Sequence, residues 1–341
     1  VVDEARPVRI ASRGSELALW QARAVEQAIR DASPGIEVSI DVIKTTGDRI
    51  LDVPLAKIGD KGLFTKELDA VLLSGDADLA VHSLKDVPTK VPGGLEIVAV
   101  SRREDPRDVL ILPRQGTGDR GQGTGTTGSL ATLPPGARVG TSSLRRRAQL
   151  CALRPDVEVL DLRGNLNTRL AKLDRGEYDA ILLAAAGVLR LGWEERIAEY
   201  LDPAEWLPAV GQGALGVVAR AGDERVRGLL ASFHCPFTAA CTAAERAFLA
   251  ALEGGCQIPI GALATVDDEG LTLHGLVAAT EGDEVLRDSE FVAAGDGAAA
   301  TVEGGAGAGR RLAARMVGMG ADRILARVRG EHPRVPEPAA P

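Results

Sequence analysis

Hydrophobic positions along the first third of the chain switch between two periods. Val8 and Ile10 read as a short strand that runs into the turn Ser12-Arg13-Gly14-Ser15. Ala18, Ala22, Val25 and Ile29 then recur at the spacing of one helix face. Ile36, Val38, Ile40 and Val42 alternate strictly, the mark of a half-buried strand. Phe64, Leu68, Val71 and Leu72 outline a second amphipathic helix, and Leu79 to His82 a further strand. Strand and helix in alternation predict an α/β unit on a parallel or mixed sheet.

Residues 114–129 (RQGTGDRGQGTGTTGS) interrupt this rhythm with six glycines and no apolar side chain, as a surface loop would. A second α/β unit follows. Residues 137–141 and 157–162 read as strands, and 178–186 (YDAILLAAA) as a buried strand closed by an AAAG turn before Arg190. Helices are expected after Ser142 or Ser143 and after Asn165, side chains suited to N-capping. From about residue 232 the texture becomes an Ala-rich helix (TAAERAFLAAL), a glycine turn and strands such as LTLHGLVAAT, a smaller α+β unit. Residues 293–309 read as low-complexity, and the tail EHPRVPEPAAP as disordered.

Composition narrows the function classes. A chain of 341 residues, 45% apolar, is long enough for two or three domains. It contains no run of eighteen apolar residues, so no membrane span is expected. The opening VVDEARPVRI carries no apolar signal region, from which a cytoplasmic location is expected. A net charge of −8 and 3% aromatic residues argue against nucleic-acid binding. Four cysteines without a CxxC pair give neither a disulfide framework nor zinc-ligand spacing, so no metal is expected.

Several motifs fail on context. Three segments match G-x-G-x-x-G, starting at Gly116, Gly123 and Gly211. Two lie in the polar loop and the third runs into an apparent strand, whereas the dinucleotide fingerprint needs a strand before it and a helix after it. His82, Ser83 and Asp86 are too close in sequence for a triad, whose members come from separate elements. Arginines are more informative. Arg13, Arg145, Arg146, Arg163, Arg169 and Arg190 recur at strand ends or first helical turns, where open α/β sheets bind ligands. Individually each is an ordinary surface charge. As a set they point to a ligand with several carboxylates or phosphates held between two lobes. Asp86, beside a Val-Pro turn, is either a turn carboxylate or an anion placed in that basic cleft. Cys256, in GGCQIPIG, reads from its surroundings first as a small buried thiol and second as a nucleophile.

Seven ordered segments, ASRGSELALWQ (11–21), GDKGLFTKELD (59–69), HSLKDVP (82–88), GTSSLRRR (140–147), LRGNLNTRL (162–170), LPAVGQGALG (207–216) and LEGGCQIPIG (252–261), closely resemble the porphobilinogen deaminase family. The resemblance covers about residues 8–290 and departs from the family mainly at 114–129, which looks like an insertion, and in the low-complexity C-terminal third. It implies two type II periplasmic-binding-protein-like lobes and a smaller α+β domain. Residues 1–104 with 214–231 would form the first lobe, 105–213 the second and 232–341 the third domain. It further implies a dipyrromethane cofactor, made by the enzyme from its own substrate and held by Cys256 through a thioether. Four porphobilinogen molecules would be joined head to tail with loss of ammonia, and water would release hydroxymethylbilane. Asp86 matches the catalytic carboxylate. Lys85, Asp86, Ser83, Thr141, Ser142, Ser143, Arg145, Arg146 and Arg169 match cofactor-binding positions. Arg13, Ser15, Phe64, Arg163, Arg169, Arg190 and Gln212 match substrate-binding ones. Lys57 and Lys61, with Phe64, match a loop and helix start beside the cleft. A cytoplasmic monomer is implied. The rivals are a non-catalytic two-lobed anion-binding protein, which the fold alone would support, and a cysteine-dependent acyl transferase, disfavoured because no Cys–His pair stands out.

Overall fold

The alternating pattern at the start of the chain becomes the first of three sheets. In the computed structural model, which describes residues 6–49, 65–114, 128–252, 258–296 and 301–331, strands β1 (Val8–Ser12), β2 (Val38–Val42), β3 (Leu79–Ser83) and β4 (Leu95–Val100) build the first lobe. Helix Glu16–Ala32 follows β1 and is capped by Ser15, whose Oγ accepts the Ala18 N–H at 3.3 Å. It buries Ala22, Val25 and Ile29 against Val8, Ile10 and Val38. The alternation of β2 fades outward: Val38 is buried but Val42 is 54% exposed.

A second sheet follows, from β5 (Asp108–Ile111), β6 (Arg138–Gly140), β7 (Glu158–Leu160), β8 (Ala180–Ala184) and β9 (Ile197–Tyr200), in the order β7-β6-β8-β5-β9. The chain then returns to the first sheet. β10 (Leu215–Arg220) inserts antiparallel between β3 and β4, giving the order β2-β1-β3-β10-β4. In each of these two sheets four strands run one way and the fourth in order is antiparallel to its neighbours. The expected pair of α/β lobes is therefore present.

The third unit is an antiparallel meander, β11 (Ile260–Val266), β12 (Gly270–Ala278) and β13 (Val285–Ala293), packed on helices Pro236–Ala251, Val302–Gly318 and Ala321–Glu331. Residues 302–309, low-complexity in composition, form the start of a helix. Their glycines bring two helix backbones together: a Cβ on Gly305 would lie 2.3 Å from the Ala240 carbonyl, and one on Gly309 2.1 Å from that of Ala244. The AAAG expected as a turn starts helix Ala185–Arg190, because alanine is the strongest helix former.

Phe64, Lys57, Lys61 and Cys256 lie outside the described residues, as do most of the Gly-rich insertion, residues 297–300 and the tail. Among the described residues no helix is long and apolar enough to cross a membrane.

Candidate active site

The first lobe contributes the end of β3. There the chain leaves the sheet in one 3-10 turn, Leu84–Asp86, anchored by Leu84 N–H donating to the Ala214 carbonyl at 2.9 Å and closed by Val87 N–H to Leu84 at 3.1 Å. Leu84 points into the core while Lys85 and Asp86 face the other lobe. Gln21, buried on the first helix, donates to Ser83 Oγ at 2.8 Å. His82 is buried, and its Nε2 has no partner among the described residues. Burial, reinforced by nearby Arg13, pushes its pKa down to about 4.

The second lobe contributes an internal ionic cluster. Asp108 opens β5 and is wholly buried. Its Oδ2 accepts Arg145 Nη1 at 2.7 Å and Trp206 Nε1 at 2.8 Å, and its Oδ1 accepts Arg146 Nη2 at 2.8 Å and Gln212 Nε2 at 2.9 Å. Burial works to raise the carboxyl's pKa, yet the two guanidinium groups win and hold it far below the usual range. Arg145 and Arg146 are thus not the solvated charges that individual arginines ordinarily are. Both are buried in the first turn of helix Leu144–Leu153, which Ser143 caps, and both also donate to backbone, Arg145 to Leu207 O and Arg146 to Leu182 O, each at 2.8 Å.

Gln212 joins the lobes. Its amide nitrogen donates to Asp108 and to Pro106 O at 2.7 Å, which orients its oxygen to accept Lys85 Nζ at 3.2 Å. Burial lowers the Lys85 pKa to about 8, with Asp86 opposing and Arg146 reinforcing the shift. Arg169, whose Nε donates to Gly164 O at 2.8 Å, is pushed to about 10 by burial and then by the like charges of Arg146 and Arg163, against Asp86 and Asp161. Burial also lowers Arg163, opposed by Asp161. Lys85 of the first lobe and Arg169 of the second are both influenced by Asp86 and Arg146.

Other expected residues have different positions. The Arg190 guanidinium stacks 5.7 Å from the Trp20 ring of the opposite lobe and donates to Gly213 O at 2.6 Å. Burial takes its pKa to about 10, with Glu104 opposing. The three hydroxyls after β6 serve the backbone. Thr141 Oγ1 accepts Ser143 N–H at 3.2 Å, Ser142 Oγ donates to Leu162 O and accepts Leu162 N–H, and Ser143 Oγ accepts Arg146 N–H at 3.4 Å. Ser15 is likewise spent as a helix cap. Arg147, in the same run, turns away to Glu281 in the third unit.

A ligand with several carboxylates fits this arrangement. Five buried or half-buried cations (Lys85, Arg145, Arg146, Arg163 and Arg169) face three carboxylates (Asp86, Asp108 and Asp161). Guanidinium forks match carboxylates in two-pronged geometry. Arg146 Nε is moreover a buried donor with no acceptor among the described residues. A dipyrromethane, whose two pyrroles each carry an acetate and a propionate, would bring carboxylates to these cations. Lys85, Arg145, Arg146 and Arg169 would hold it beside Asp86.

Sequence reasoning missed Asp108, Trp206, Gln21 and Trp20. Asp108 left a signal, because a charge heading the wholly apolar run DVLIL must be partnered if that strand is central.

Comparison with known proteins places the chain in a family. Residues 8–228 match the family model described as porphobilinogen deaminase, dipyromethane cofactor binding domain. Residues 239–317 match that of the porphobilinogen deaminase C-terminal domain. The porphobilinogen deaminase of Moorella thermoacetica is 53% identical over 324 residues, 95% of this chain and 97% of that protein. The one from Syntrophobacter fumaroxidans is 51% identical over 320 residues, 94% and 97% of the two chains. Among solved structures, the periplasmic VFT2 domain of Bordetella pertussis BvgS aligns at a TM-score of 0.38 and 16% identity, over 65% of this chain and 84% of that one. With two family models in sequence along it and half its residues shared with such relatives over nearly their whole length, the chain belongs to the porphobilinogen deaminase family.

Proposed function

We propose that this chain is a hydroxymethylbilane synthase, a transferase of porphyrin and heme biosynthesis that condenses four porphobilinogen molecules head to tail and releases the linear tetrapyrrole with water. The observation that carries this reading is the gathering of buried cations about Asp86, since each added pyrrole brings two more carboxylates. Arg13, Arg163, Arg169 and Arg190 bind substrate and chain carboxylates, with Gln212 and Ser15 beside them. Lys85, Arg145, Arg146 and Arg169 hold the cofactor, and Ser83, Thr141, Ser142 and Ser143 shape its walls. Dipyrromethane, attached through Cys256, supplies the pyrrole carbon to which the first unit is joined. Loss of ammonia leaves the substrate with a cation delocalised onto its pyrrole nitrogen. Asp86 accepts that N–H, and its fixed negative charge stabilises what develops in the transition state. Lys85 keeps neighbouring carboxylates in place, and Asp108 keeps the two arginines aimed.

The same reading divides the chain into 1–104 with 214–231, 105–213 and 232–341, and makes it a cytoplasmic monomer. The rival anion-binding protein would use the same cations but has no need of Cys256. Intact mass separates the two. The purified chain should carry one covalent dipyrrole, and Cys256→Ala should lose it while Cys151→Ala keeps it. An adduct retained by Cys256→Ala, or no adduct on the unaltered chain, refutes the reading.

A further inference from the structure

The Asp86 carboxylate has no hydrogen-bond partner among the described residues; its electrostatic neighbours are Lys85 and Arg169. Its position is therefore set through the backbone of its turn. Upstream, Leu84 N–H is anchored on Ala214 O. Downstream, the chain runs through Val87, Pro88 and Thr89, and the anchor comes from the third unit. Arg246, on helix Pro236–Ala251, donates from Nη1 to Val87 O at 2.9 Å and from Nη2 to Pro88 O at 2.6 Å and Thr89 O at 3.3 Å. One guanidinium thus holds three successive carbonyls that begin at the residue after Asp86.

The helix that bears Arg246 cannot easily shift. Glu245, the preceding residue, is completely buried. It takes Arg103 in a two-pronged pair at 2.6 and 3.1 Å, Gly211 N–H at 2.7 Å and Ala264 N–H at 2.8 Å. Glu245 therefore fixes the helix to the crossing between the lobes, and Arg246 uses that fixed helix to hold the turn. The helix ends at Ala251, and Cys256 follows five residues later in sequence.

We propose that Arg246 is a positioning residue for Asp86, setting where its charge stands relative to the reacting pyrrole without touching substrate. The proposal rests on the catalytic role assigned to Asp86 above. Misplacing a reacting or stabilising group by about 1 Å can cost on the order of 100-fold in rate. Gln at 246 cannot span three carbonyls, so the turn is freed while Asp86 remains present.

The test uses cofactor-loaded enzyme and porphobilinogen, with the rate of each addition followed by mass. Arg246→Gln should slow every addition at least about tenfold, with KM little changed and the dipyrrole retained. Arg246→Lys, which keeps a cationic donor for one or two of the carbonyls, should fall between. The decisive comparison is the double variant. Asp86→Asn with Arg246→Gln should be no slower than Asp86→Asn alone, because Arg246 acts through the charge already removed. A general loss of structure would slow both backgrounds equally. Should Arg246→Gln fail to fold, the same pair of comparisons is made with Arg246→Lys. Unchanged rates in the single variant, or multiplicative slowing in the double, overturns the proposal. If the unaltered chain does not consume porphobilinogen, the functional reading fails instead, and the two failures are distinct.

Discussion

Replacing Asp108 by Asn tests the ionic cluster beneath the site. The carboxylate accepts four hydrogen bonds, from Arg145, Arg146, Trp206 and Gln212, and is the counter-ion of two arginines that are each at least nine-tenths buried. Asn retains the shape but no charge, and presents an NH2 group to donors on one side. Removing one partner of a buried ion pair costs about 3–5 kcal/mol, mostly because the other charge is left without compensation. Urea unfolding followed by the fluorescence of buried Trp206 should show a loss of that size. The difference should stay constant between about pH 5 and pH 8. A carboxylate with a depressed pKa contributes its stability above its unfolded value, here 3.8, and loses it only as pH falls below that towards the folded value. A loss under about 1 kcal/mol, or one that varies across neutral pH, would refute the assignment of Asp108 as the counter-ion of both arginines.

Two further outcomes follow from the same geometry. His82 ionises near 4 in the fold against 6.5 normally, so the unfolded chain takes up the proton first and stability falls as pH drops from about 6.5 to about 4, by about 3 kcal/mol in all. His82→Gln should flatten that part of the stability–pH curve, and an unchanged slope would place the acid sensitivity elsewhere. If Arg163, Arg169 and Arg190 bind different pyrrole carboxylates, removing each should cost about 1.5–3 kcal/mol at the stage that uses it. Mass spectra of the variants should then show stalling at different numbers of attached pyrroles; identical stalling in all three would count against separate carboxylate sites.

Periodicity carried most of the fold. Ala22, Val25 and Ile29 face one core because helical spacing puts them there, and Ser15, Ser143 and Asn165 cap the helices they precede. The site residues were legible as a set but not in their environments. Nothing local to Arg145 or Arg146 says that they are buried on Asp108, which lies 37 and 38 residues away and belongs to a strand paired with β8 and β9. The same holds for Gln212, whose two ends meet partners more than 100 residues upstream. At 302–309 the low-complexity composition did not show that the glycines' lack of a Cβ serves helix packing. Arg246 sits in an unremarkable Ala-rich helix, and only the tertiary fold brings it to the carbonyls after Asp86.

The most direct test of the central claim is time-resolved intact mass spectrometry of cofactor-loaded enzyme mixed with porphobilinogen, comparing the unaltered chain with Asp86→Asn. Asn is nearly isosteric and keeps an acceptor oxygen, so only the fixed charge is removed. The unaltered chain should pass through successive species that each gain one pyrrole unit less ammonia, and then return to the starting mass. Asp86→Asn should form the same series with every addition slowed alike, because one charge serves each cycle. Additions at the unaltered rate in Asp86→Asn would contradict the assignment and leave Asp86 a turn carboxylate.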